Sequence, residues 1–195
     1  MHNSLISHIR QIVPLEEQEV AHIQSAFKPK QLARKEILLH KGDVSNHMRF
    51  VVDGSIKAFT LNKDGGEHIL QLGIAGWWVN DLYSYLTRTP ATFIIQSVEP
   101  CTLLQIHRDQ LEVLYGQVPM IERFFRIKIQ RAYVALQERT VKAMSQPAEV
   151  RYLEFLKKYR KLEQSVPQYM IASYLGITPE HLSSIRKKMS DADLS

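Results

Sequence analysis

The chain has 195 residues, enough for one large domain or two small ones, with 45% apolar and 23% charged residues, the balance of an ordinary globular protein. No run of about 18 uncharged apolar residues occurs, so no membrane span is predicted, and the start Met1-His2-Asn3-Ser4 lacks the basic stretch and apolar core of a secretory leader. The single cysteine, Cys101, excludes an internal disulfide framework, a cysteine-based zinc site and a four-cysteine iron–sulfur cluster, so a cytoplasmic chain without a cofactor is expected. Net charge is +5, unevenly spread: residues 1–120 carry 11 Lys and Arg against 12 Asp and Glu, residues 121–195 carry 14 against 8. A near-neutral module joined to one that meets a polyanion fits this switch, as does a solvated helical surface that happens to be basic.

From Leu5 to Phe27 apolar residues recur at helical spacing, and Pro14 divides the stretch into two short helices. From Ile37 to about Ile106 the texture changes to short β-rich runs: Glu36–His40, Met48–Val52, Ser55–Thr60, His68–Leu72, Thr92–Ser97 and Thr102–Ile106. Gly- and Asp-rich turns separate them, at Gly42-Asp43, Asp53-Gly54 and Gly65-Gly66. Strands this short and this regularly spaced predict a sandwich or barrel-like roll.

After Ile106 the pattern is helical. A short helix covers Arg108 to Tyr115, punctuated by Gly116, and a long one runs Pro119 to Ser145, about 40 Å at ~1.5 Å per residue. Met120, Phe124, Ile127, Val134 and Val141 share one stripe of it; Phe125, Ile129, Ala132 and Leu136 share another. A helix apolar on two sides touches two things, here the β-module and a second copy of itself, or else it lies buried within one chain. A further helix follows Pro147, with Val150, Leu153, Leu156 and Leu162 apolar and Arg151, Lys157, Lys158, Arg160 and Lys161 exposed.

Val166 to Met189 reads as a helix–turn–helix. Ile171 and Leu175 form the buried side of the first helix, and Ala172 is small where a second helix approaches. Gly176 suits a left-handed helix end, Ile177 buries the turn, and Thr178 caps a second helix with Pro179 at its first position and Glu180 near the positive dipole end. In that second helix Leu182, Ile185 and Met189 share one face. Glu180, Ser183, Ser184 and Lys187 point the other way, flanked by His181 and Lys188. A polar, basic outer face is what insertion into a DNA major groove requires, although a plain helical hairpin with a solvated face has the same pattern.

With both modules in place, about Val20 to Met189 resembles the Crp–Fnr family of bacterial transcription regulators. The resemblance rests on Gly42-Asp43, Asp53-Gly54, Gly65-Gly66, Gly76, the long helix and the helix–turn–helix in that order. It implies an α+β fold. Residues 1–118 form an antiparallel β-roll (a double-stranded β-helix of the cyclic-nucleotide-binding type), 119–145 a dimerisation helix and 146–195 a helix–turn–helix domain with a truncated or absent wing. It implies as partners a second copy of the chain, double-stranded DNA at a palindromic site, a small-molecule effector and RNA polymerase, with no membrane and no catalytic residues. The DNA-binding residues it implies are Tyr169, Thr178, Glu180, His181, Ser183, Ser184, Lys187 and Lys188.

The effector pocket falls at Asn80, Asp81, Leu82, Ala91 and Thr92, and here the chain departs from the family. Nucleotide-binding members carry Gly-Glu-Leu and an Arg-Ser pair on the cyclic phosphate; the matching positions read Asn80-Asp81-Leu82 and Ala91-Thr92. Without the guanidinium, an effector other than cyclic AMP is expected. Arg88 lies three positions before Ala91. Trp77, Trp78, Tyr83 and Tyr85 supply either core packing or a different apolar pocket, and Cys101 reads as a buried small hydrophobe. Two other functions remain open on the sequence. One is a ligand sensor that works through protein contacts with a degenerate helix–turn–helix. The other is a metalloenzyme on the same roll, although His40, His47, His68 and His107 lack ligand spacing and read as loop residues.

Overall fold

In the computed structural model, which describes residues 1–193, the N-terminal apolar spacing forms α1 (His2–Arg10) and α2 (Glu17–Ala26). Glu19 accepts the main-chain N–H of Glu16 at 2.8 Å and so closes the start of α2. Seven strands follow: β1 (Lys28–Leu32), β2 (Ile37–Leu39), β3 (His47–Asp53), β4 (Ser55–Leu61), β5 (Glu67–Ile74), β6 (Ile94–Ser97) and β7 (Cys101–His107), with α3 (Leu82–Thr87) between β5 and β6. They pair antiparallel in two sheets, ordered β1-β7-β3 and β2-β6-β4-β5. The expected roll of short strands is present.

β1 corrects the sequence reading, which began the strands at Ile37. Lys28-Pro29-Lys30 is polar and contains a proline, yet it pairs with Leu103–Gln105 of β7. An edge strand tolerates both features, because one side of its ladder needs no partner. At the turn between β3 and β4, Gly54 has φ +82, and a Cβ there would lie 2.4 Å from the Pro100 carbonyl oxygen. Only glycine lets these two chain segments approach so closely.

Strand alternation sends side chains to three cores. Val51, Ile56, Ile95 and Leu103 fill the space between the sheets. Met48 and Phe50 point outward from β3 onto α1, α2, α4 (Arg108–Gln117) and the start of α5 (Pro119–Ser145), where Leu5, Ile9, Leu111 and Phe124 bury them. Burying side chains of this size is worth about 1.5–3 kcal/mol each. Gly116 lies inside α4, not at its end. Trp78 joins this core against Phe27, Phe50, Phe124 and Phe125, and so serves packing.

The third core joins the roll to the C-terminal helices α6 (Ala148–Ser165), α7 (Gln168–Leu175) and α8 (Pro179–Asp193). Phe59, Ile69 and Leu72, from the outer face of β4 and β5, meet Tyr152, Phe155, Leu162 and Ile171. On α6 the buried side is Tyr152, Phe155 and Leu162; Val150 and Leu153, expected there, are exposed, because the helix turns its aromatic side to the sheet. Arg151, expected on the surface, is half-buried and donates to the Leu175 carbonyl. The helix breaks its regular geometry at Tyr159 (φ −131°, ψ 39°), whose ring meets Trp77 at 5.4 Å.

α5 spans the stretch expected for the long helix, but its expected stripes are buried only near its start. Phe124 and Phe125 are buried together with Ile121, which the stripes omitted. Val134, Leu136 and Val141 are all more than half exposed, and Met144 is 85% exposed. Beyond its start α5 meets its own chain through polar side chains instead: Arg139 donates to the Leu70 carbonyl of β5 and Lys142 pairs with Glu154 of α6 at 2.6 Å.

Candidate nucleic-acid interface and sensory pocket

α7 ends as its sequence dictates. Gly176 takes φ +70, a conformation costly for side-chain-bearing residues, and Ile177 N–H donates to the Ala172 carbonyl at 3.0 Å across the turn. Thr178 Oγ1 accepts the His181 N–H at 3.2 Å and caps α8. Leu182 and Ile185 are buried against Ile171 and Ala172, while Leu175, Ile177 and Met189 are partly buried around them. The opposite face of α8 carries Glu180, His181, Ser183, Ser184, Lys187 and Lys188, all exposed, with Arg186 exposed beside them.

Tyr169 and Thr178 are also exposed and lie at one cleft of about 560 Å³ between β5 and the turn, lined as well by Glu67, His68 and Ser173. Burial and the nearby Glu67 carboxylate raise the Tyr169 phenol above its ordinary value. Its own main-chain N–H and the Thr178 hydroxyl hold the Glu180 carboxyl below its ordinary value. All eight residues expected to meet DNA therefore lie on the surface of α7, the turn and α8. The expected truncated or absent wing belongs beyond α8, outside the described residues.

Sequence reasoning missed Ser173. Its hydroxyl donates to Glu67 O and accepts from Ile69 N–H, both at 2.9 Å, and so occupies the free edge of β5. Arg139 of α5 donates to Leu70 O on the same strand at 2.8 Å. A serine in the middle of an amphipathic helix gives no local sign of such a partner.

In the roll, Asn80 Oδ1 accepts the Arg49 main-chain N–H at 2.8 Å, and Asp81, 1% exposed, caps α3 by accepting the Ser84 N–H at 2.9 Å. Leu82 is partly buried. Ala91 is buried, its main chain bonded both ways to Gly42 and Asp43, while Thr92 and Arg88 are exposed. The structure gathers Asn80 and Asp81 beside Ser45, Arg49 and Ser84, which the sequence reading left out. The available signal was a charged residue, Arg49, centred in the apolar strand β3.

Burial, with Asp53 and Glu99 nearby, pushes the Cys101 thiol up to about 12, so it behaves as a small apolar side chain. His47 and His107 are not loop residues: they close the ends of β3 and β7, half-buried, with rings 5.0 Å apart. Among the described residues no three His, Cys, Asp or Glu side chains gather as metal ligands.

Comparison with known proteins agrees with this architecture. Residues 29–117 match the model of the cyclic nucleotide-binding domain. Over 183 residues the chain is 24% identical to the anaerobic regulatory protein of Haemophilus influenzae, covering 88% of this chain and 70% of that protein. It is 23% identical to the regulatory protein HlyX of Actinobacillus pleuropneumoniae, covering 94% and 80%. Among solved structures it is similar to the c-di-GMP-responsive global regulator CLP of Xanthomonas campestris, with a TM-score of 0.71 at 15% identity over 92% of this chain and 94% of that one. A CooA variant from Carboxydothermus hydrogenoformans gives 0.70 at 18% identity over 95% and 88%. The chain therefore carries a match to the cyclic nucleotide-binding domain at its centre and is similar along its length to regulatory proteins.

Proposed function

We propose that two copies of this chain form a sequence-specific DNA-binding regulator in the cytoplasm, without enzymatic activity, in which α8 enters the major groove. Residues 1–118 sense, residues 119–145 pair the copies through the exposed apolar side of α5, and residues 146–195 bind a palindromic site. The observation that carries this reading is the division of α8. Leu182 and Ile185 anchor it to α7, while Glu180, Ser183, Ser184 and Lys187 stand free on the other side. Glu180 and the serines are suited to base edges; Tyr169, Thr178, His181, Lys187 and Lys188 are suited to phosphates.

The effector in this reading is a small molecule other than cyclic AMP, taken up near Asn80, Asp81, Leu82, Ala91 and Thr92. Ala91 offers no guanidinium to a cyclic phosphate. RNA polymerase is the partner through which bound protein acts. The test is an electrophoretic mobility shift on genomic fragments under excess competitor DNA. Discrete shifts with a few fragments are expected. Folded, dimeric protein that shifts no fragment would favour the ligand sensor that acts through protein contacts.

A further inference from the structure

We infer that the β-roll holds a small oxyanion on the guanidinium of Arg49. The inference rests on reading the roll as the sensory module and names the chemistry of what it senses. Alternation along β3 sends Met48 and Phe50 to the helices, so Arg49 turns inward with Val51. It is 4% exposed, and no ion pair engages it among the described residues. Its contacts are neutral and long: Nη1 donates to Ser45 Oγ and to the His47 carbonyl, both at 3.3 Å, and Nε has no acceptor.

A guanidinium carries five donors in a planar fork, and burying that charge without a counter-ion is costly. Its natural complement is a carboxylate or phosphate taken side-on. From Arg49 a chain of hydrogen bonds runs through Ser45, whose N–H donates to Ser84 Oγ at 2.9 Å, to Ser84, whose N–H donates to Asp81 Oδ1 at 2.9 Å. At the far end Asp81 Oδ2 is buried without a donor. One side of this cluster therefore asks for an acceptor with negative charge, the other for a donor. Arg108 adds a second cation, holding the Ser45 carbonyl at 3.2 Å. The ligand that satisfies both ends is an oxyanion that also bears a hydroxyl or amine.

The test uses the full chain with inorganic phosphate as probe, at constant ionic strength set with sodium chloride, read by thermal unfolding and titration calorimetry. A saturable rise in Tm with one site per chain is expected. Arg49→Met removes that rise, while Lys63→Ala, exposed in the turn between β4 and β5, keeps it. No saturable effect in the parent, or an undiminished effect in Arg49→Met, overturns the proposal. Should Arg49→Met fail to fold, Arg49→Lys keeps the charge without the fork and is expected to bind at least tenfold more weakly; equal affinity overturns the proposal as well. Ribose 5-phosphate, which adds hydroxyls for Asp81, is expected to bind more tightly than phosphate, and equal affinity overturns the role given to Asp81. DNA binding is scored separately by mobility shift, so failure of the anion site and failure of the DNA reading are seen independently.

Discussion

Ser173 on α7 and Glu67 on β5 stand 106 positions apart in sequence, yet the serine hydroxyl donates to the glutamate's main-chain oxygen at 2.9 Å. The same hydroxyl accepts the Ile69 N–H at 2.9 Å, so one side chain completes two groups that an edge strand otherwise leaves to water. This bond ties the helix that positions α8 directly to the β-roll.

Ser173→Ala removes that tie without altering the apolar joint. Urea unfolding is expected to show a loss of about 1 kcal/mol, the ordinary net worth of such a hydrogen bond. Hydrogen exchange at the Ile69 amide is expected to speed up while exchange in β3 and β7 stays unchanged. Unaltered protection at Ile69 would count against the tie.

Lys187→Ala is expected to weaken binding to any DNA site the protein shifts, and to do so uniformly across sequences. A lost phosphate contact also flattens the dependence of log affinity on log salt by about 0.9. Glu180→Ala is expected to change which sequences are preferred, because a base contact carries about 1–3 kcal/mol of discrimination. Mobility shifts at several salt concentrations, with a set of mutated sites, measure both effects.

The far half of α5 shows Val134, Leu136, Val141 and Met144 to solvent, more apolar surface than an unpartnered helix ordinarily leaves exposed. Leu136→Asp is expected to convert a dimer to a monomer in analytical ultracentrifugation and to abolish specific DNA shifts with it. A parent that sediments as a monomer at micromolar concentration would remove α5 as the pairing surface.

Acid is expected to weaken the fold through its half-buried histidines. Burial lowers His8 to about 4, with help from Lys128, and lowers His47 to about 4, with help from Arg49 and His107. In the unfolded chain both titrate near 6.5, so below that pH the unfolded state binds more protons than the folded one. The stability these neutral rings contribute is therefore complete above about pH 6.5 and is lost as pH falls toward about 4. His8 packs its ring on Phe50 and Phe124, so His8→Phe is expected to flatten this slope in urea unfolding measured from about pH 7 to about pH 4.

The helix–turn–helix was legible in the sequence because everything that specifies it is local. Gly176 supplies the left-handed turn, Thr178 and Pro179 open the next helix, and the spacing of Leu182, Ile185 and Met189 sorts its faces within a few turns. The strands from β2 to β7 and the length of α5 were legible for the same reason. β1 was not, because Lys28-Pro29-Lys30 has no strand character until β7 lies beside it. Nor were the inward turn of Arg49, the orphaned oxygen of Asp81, or the seat of Ser173 on β5. Each depends on groups tens of residues away, and pairing across such distances is fixed by the packing of whole sheets and helices rather than by neighbouring residues. Local spacing thus settled most of the elements, β1 and α3 apart, and the faces of α7 and α8. What those faces meet, and so where the roll and the helix–turn–helix touch, was settled only when distant elements packed together.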